Sequence, residues 1–146
     1  MANNPFDSLI NRLARREHSR VELDRQLKAL HPELSQAERV ELLDRLVELN
    51  VQSDARFAEM LIRSRLHRGQ GRRRIEQELA QHAIDVGDVA ELFDEADASE
   101  SERCYAALEK WVRSKKAPNR EKAFRFLASR GFNFSDATEA VNAIFR

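Results

Sequence analysis

Residues 61–79 read LIRSRLHRGQGRRRIEQEL, and the parsing of this stretch decides the fold. Leu61, Ile62 and Leu66 continue a helical stripe begun at Phe57. Gly69-Gln70-Gly71 interrupts it, and Ile75 and Leu79, four residues apart, open a second apolar stripe. The stretch is a helix, a turn and a helix. Between Leu61 and Ile75 it also carries six arginines and no acid: Arg63, Arg65, Arg68, Arg72, Arg73 and Arg74. The whole chain has 25 basic and 25 acidic residues, so this is a local concentration of charge.

Helical spacing extends outward in both directions. Cys104, Ala107, Leu108, Trp111 and Val112 form one stripe, and Val40, Leu43 and Val47 another. No run has the period of two that a sheet strand needs. Ser19-x-x-Glu22, Ser35-x-x-Glu38 and Ser99-x-x-Glu102 read as capping boxes. Asp7, Ser53 or Asp54, Asp85, Asn119 and Ser135 are further cap candidates. The chain is predicted to be all-α, with nine helices near 7–17, 20–30, 36–48, 54–67, 72–82, 86–96, 100–115, 120–129 and 136–145.

These helices fall into three groups. Leu27, Leu79 and Leu127 lie 52 and 48 residues apart, with Leu23, Ile75 and Ala123 four residues before them. Val40, Leu92 and Ala140 lie thirteen residues after. A period near fifty predicts three tandem three-helix modules, 7–49, 53–97 and 99–146, stacked into an elongated array. The link between the second and third modules is acidic: Glu91, Asp94, Glu95, Asp97, Glu100 and Glu102, with no base. It is a solvated junction or an electrostatic answer to the arginines, within one molecule or between two.

Three of the arginines, Arg72, Arg73 and Arg74, load the first turn of a helix. Cations there oppose the helix dipole at a cost of ~0.3–1 kcal/mol each when exposed. Free N–H groups at that helix start and a Gly-x-Gly turn suit a bound anion. The turn is not a nucleotide loop, because it lacks the Lys-Ser/Thr pair and a preceding strand. A second basic cluster holds Arg113, Lys115, Lys116, Arg120, Lys122 and Arg125, within a stretch, 103–146, of net charge +6. Arg12, Arg15, Arg16 and Arg20 add cations to the first module.

Catalytic and metal signals are poor. Cys104, the only cysteine, falls on an apolar stripe and reads as a core thiol; a reducing compartment follows. His18 and Glu22 read as a surface pair too small for a metal site. Trp111, Phe57, Phe124 and Phe126 read as core anchors, and Arg130-Gly131-Phe132 as a helix stop with a packing residue. No segment has the length and apolarity of a membrane span or the form of a leader peptide, which predicts a cytoplasmic protein.

Leu13-Ala14-Arg15-Arg16-Glu17-His18-Ser19, followed by Glu22-Leu23 and Leu27, resembles the opening signature of the bacterial RecX regulators. So does the run from Leu46-Val47-Glu48-Leu49 through Asp54, Phe57 and Ala58 to Arg68-Gly69-Gln70-Gly71 and Ile75-Glu76-Gln77-Glu78-Leu79. The resemblance covers most of residues 9–93 and continues more weakly through 100–145. His82-Ala83-Ile84 departs from it, since the family often has a glycine before the isoleucine. The resemblance implies a tandem three-helix protein, without catalysis or cofactor, that binds the RecA recombinase filament on single-stranded DNA. It implies restraint of filament growth, ATP hydrolysis and strand exchange, and so of recombinational repair and the SOS response. The expected contacts are Arg63, Arg65, Arg68, Arg72, Arg73 and Arg74, extended by Arg15, Arg16, Arg113, Lys115 and Lys116. They meet either acids of the recombinase or phosphates of single- or double-stranded DNA. A monomer is expected. The alternative is a sequence-indifferent DNA-binding module that needs no recombinase.

Overall fold

The computed structural model describes residues 4–146. Nine α-helices are present among these residues, and no strand: α1 Pro5–Leu13, α2 Arg20–Leu30, α3 Gln36–Glu48, α4 Asp54–His67, α5 Arg72–Gln81, α6 Asp94–Ala98, α7 Glu100–Ser114, α8 Arg120–Ser129 and α9 Phe134–Ile144. A 3-10 segment, Val86–Phe93, precedes α6.

Local chemistry accounts for most boundaries. Ser19 and Ser35 form two of the three expected capping boxes, with Glu22 and Glu38. Ser53 accepts the Arg56 N–H, and Asn119 that of Lys122. Asp54 does something else: it accepts the N–H of Arg20, the first residue of α2. Ser99 makes no cap. Its hydroxyl turns back onto the Glu95 and Ala96 carbonyls, because α7 follows α6 after a single residue and leaves no extended cap backbone. Asn4, rather than Asp7, caps α1, with Pro5 in the first turn, and Asn133, rather than Ser135, caps α9. The helix expected near 86–96 is instead a 3-10 segment followed by the short α6, and Val89 within that segment leaves helical geometry (φ −123°).

Left-handed residues close several helices. Asn50, Gly69 and Gly131 have φ of 58°, 79° and 92°. The amides of Val51, Gln70 and Phe132 return to Leu46, Arg65 and Leu127, the C-terminal pattern that satisfies orphan carbonyls. Ala83 also adopts positive φ (55°). The turn after α5 therefore keeps a left-handed shape without a glycine, at a steric cost of about 1–2 kcal/mol.

The contacts divide the chain into two compact units, and the division falls inside α4. The first runs to Met60 and includes His82–Ile84; the second holds Leu61–Gln81 and Asp85–Arg146. The first unit has a core of Leu9, Leu23, Leu27, Leu43 and Leu46. In the second, Cys104, Leu108, Ala123, Leu127, Phe132, Ala137, Ala140 and Val141 cluster between α7, α8 and α9. The repeat positions Leu23, Leu27, Ile75, Leu79, Ala123 and Leu127 are all at most 1 % exposed. The position thirteen residues on is not equivalent: Ala140 is buried, whereas Val40 is 40 % exposed.

Candidate nucleic-acid interface

The second unit decides what the arginine stretch does. The N–H groups at the start of α5 do not face outward. Gly71 N–H donates to the Arg130 carbonyl at 2.7 Å, and Arg73 N–H to the Gly131 carbonyl at 3.1 Å. Arg72 N–H donates to the carboxylate of Glu100 at 2.6 Å. The anion expected at this helix start is thus the chain's own acidic link. The Gly-x-Gly turn has an equally internal purpose. A Cβ on Gly71 would lie 2.5 Å from the Gly131 carbonyl oxygen, and one on Gly131 would lie 2.5 Å from the Arg74 backbone nitrogen. The second glycine permits backbone to pack on backbone, α5 against the turn after α8. Gly69, by contrast, has open space and serves only its left-handed turn.

The six arginines separate into different roles. Arg65 forms a bidentate pair with Glu78 at 2.7 and 2.6 Å, and this bond raises its pKa further. Arg72 pairs with Glu76 and Asp97 and lies over the Phe93 ring at 4.5 Å; the Glu76 bond, ahead of the Asp97 charge, raises its pKa. Arg74 donates to the Ser129 carbonyl at 3.1 Å, at the C-terminal end of α8. A cation unfavourable at the start of α5 is thereby favourable at the end of α8. Arg63 is exposed on α4. Arg68 lines a groove, Arg73 is exposed, and neither side chain is ion-paired with any described residue.

That groove, about 500 Å³, is lined by His67, Arg68, Gly69, Ala107, Lys110, Trp111, Ser114, Lys115, Phe126 and Arg130. A second, about 710 Å³, shares Trp111, Lys115 and Phe126 and adds Lys116, Ala117, Pro118, Lys122, Arg125 and Ser129. No acidic residue lines either. Trp111 and Phe126 stack at 5.3 Å with planes 17° apart, and the Arg130 guanidinium lies 5.3 Å over the Phe126 ring. Both aromatics pack on the core, as expected, but each also forms groove wall, which the helical stripe did not reveal. Lys115 and Lys116 belong to this surface; Arg113 pairs instead with Glu109 at 3.5 Å. Lys110 was not among the expected contacts, and Arg130 was expected only as part of a helix stop. Their signal was a lysine one residue before the only tryptophan and an arginine four residues after a phenylalanine.

In the first unit, Arg15 and Arg16 do not continue a helix; α1 ends at Leu13 and both residues lie in a turn, their amides donating to the Arg12 carbonyl, ahead of the extended cap residue Ser19. Arg15 is exposed. Arg16 pairs with Glu22. Burial pushes the Glu22 carboxyl up, but the Arg16 bond, with His18 and the Ser19 N–H, outweighs it and holds the group below its usual value. His18 is not on the surface: it is 5 % exposed, with Nδ1 3.3 Å from Glu22, because the chain folds inward ahead of Ser19. Ser19 and His82 lie 2.6 Å apart, but Ser19 is fully buried and already accepts the Glu22 N–H. The pair ties α2 to the turn after α5 and offers no exposed nucleophile. Cys104 is also fully buried, and burial, ahead of Asp136 and Glu100, pushes its thiol to about 12. Among the described residues no His, Cys, Asp and Glu group could hold a metal ion, and no helix is long and apolar enough to cross a membrane.

The fold and this surface define a class: an all-helical protein with helix–turn–helix junctions and a basic groove walled by aromatics. The chain belongs to the RecX family of regulatory proteins. The family model for the RecX second three-helix domain matches residues 53–92. A regulatory protein RecX of Chromohalobacter salexigens is 40 % identical over 140 residues, covering 94 % of this chain and 90 % of the relative. That of Pseudomonas putida is 39 % identical over 82 % of this chain and 78 % of its own length. The crystal structure of RecX from Lactobacillus salivarius shares the fold, with a TM-score of 0.78 over 96 % of this chain and 94 % of that one at 18 % identity.

Proposed function

We propose that this regulatory protein binds the RecA recombinase filament on single-stranded DNA and inhibits its extension, ATP hydrolysis and strand exchange. In the cytoplasm it would moderate recombination, DNA repair and the SOS response. It acts as a monomer, by binding, with no cofactor and no turnover of its own. The observation that carries the reading is likeness to RecX regulators along nearly the whole chain. The acid-free basic surface of the second unit supports an anionic partner. We assign the outward contacts to Arg68, Arg73, Lys115 and Lys116 in that unit and to Arg15 in the first. Arg65, Arg72 and Arg16 hold the fold that presents them. We also read the chain as three modules, 7–49, 53–97 and 99–146, a reading supported by the shared burial of the repeat leucines.

The deciding measurement is ATP hydrolysis by RecA on single-stranded DNA with the protein added. Inhibition at micromolar concentration is expected, and its absence sinks the reading.

A further inference from the structure

We infer that the groove walled by Trp111 and Phe126 is a binding site for single-stranded nucleic acid, in which a base contacts the aromatic wall while Arg68, Lys110 and Lys115 hold the phosphates. The inference deepens the filament reading and rests on it, since it concerns the DNA strand of the same assembly.

Two independent features converge at the groove. The first is charge. The site is lined by Arg68, Lys110, Lys115 and Arg130 and by no acid, in a chain of net charge zero. Lys110 and Lys115 are exposed, and neither is ion-paired with a described residue. Such a lining attracts a polyanion. The second is the π surface. Trp111, Phe126 and the Arg130 guanidinium form a stacked series, ring on ring and cation on ring, which forms part of the groove wall. An acidic protein segment would use the cations and leave the rings idle. A duplex would offer phosphates but keep its base faces stacked inside. Single strands offer both phosphates and free base faces, and basic grooves with aromatic platforms are the recurring solution for them. The cationic side chains read charge rather than base edges, so binding is indifferent to sequence. The adjoining groove, which shares the aromatic wall and adds Lys116 and Lys122, gives the strand a continuation.

Trp111 is the only tryptophan, so its emission reports this wall alone. The full chain is titrated with a single-stranded oligothymidylate, with anisotropy of the labelled strand read in parallel. Quenching of Trp111 that tracks the anisotropy is expected. Lys110→Glu with Lys115→Glu weakens binding by roughly tenfold or more and lowers the log–log salt slope by roughly 1.4, two single-strand phosphate contacts. Phe126→Leu weakens it by roughly tenfold, toward the low end for a base–aromatic contact. Helical circular dichroism and melting establish that each variant folds; where Phe126→Leu does not, the exposed lysine pair decides. Three results overturn the inference: no binding, binding with Trp111 emission unchanged, or an unaltered affinity in the lysine variant. Equal quenching by polyglutamate, which has charge without bases, assigns the groove to an acidic protein segment and overturns it as well. RecA inhibition by a protein that ignores the oligonucleotide removes this site and leaves the filament reading intact. Oligonucleotide quenching without RecA inhibition removes the filament reading instead.

Discussion

Gly71 and Gly69 show how two glycines of one turn carry different burdens. Gly69 has φ of 79° and nothing within 4 Å of its missing Cβ. Alanine there costs only the left-handed conformation, about 1–2 kcal/mol. At Gly71 the obstacle is backbone, the Gly131 carbonyl at 2.5 Å, which no side-chain rotation can relieve. Gly71→Ala must shift the turn after α8 and break the Gly71 and Arg73 amide bonds to it. A loss of about 3 kcal/mol or more is expected, combining overpacking with unpaired amides. Urea unfolding of the two variants checks the order; equal losses would show that the close approach is unimportant. The sequence exposed the Gly-x-Gly spacing but not its target, because Gly131 lies sixty residues away.

Among the elements, the start of α2 combines a cap with an electrostatic network. Ser19 and Asp54 satisfy its first N–H groups, and Glu22 closes the capping box while pairing with Arg16. Because the native Glu22 carboxyl lies below its usual value near 4.5, it stabilises the fold above that value. That contribution is lost as pH falls through the lowered native value. Arg16→Ala removes the strongest of the groups that lower it, so the native pKa rises and acid unfolding begins at a higher pH. The midpoint followed by circular dichroism at low salt should move upward, and an unmoved midpoint would contradict the network. The capping boxes at Ser19 and Ser35 were legible because each is a local motif. The one at Ser99 failed because the short α6, invisible in a smooth helical stripe, consumed the backbone a cap requires.

For the whole molecule, the internal pairing of Arg72 governs how its binding surface can be tested. Arg72→Glu would place an acid beside Glu76 and Asp97 and remove the cation over Phe93, so it should unfold at markedly lower urea. Arg68→Glu with Arg73→Glu removes two cations that hold no internal ion pair. That double variant should keep its melting temperature to within a few degrees while weakening RecA inhibition by about tenfold, on the order of 0.7 kcal/mol per contact. Melting curves and the ATP hydrolysis assay separate the two effects. Full inhibition by the double variant would place the contact elsewhere.

The sequence by itself determined the helices outside 86–98, their main caps, the buried leucine register, the inertness of Cys104 and the family. All of these follow from spacing within a few residues or from a motif repeated along the chain. Only the tertiary structure decided which charges remain available to a partner. Arg65 finds Glu78 thirteen residues on, Arg72 finds Asp97 twenty-five on, and the α5 amides find Glu100 and the 130–131 turn. The same folding brings Arg68 beside Lys110, Trp111 and Arg130. A run of six arginines states how much charge is present. Whether that charge is neutralised or presented depends on distances in space, and those are set by how α5 and α7 to α9 pack.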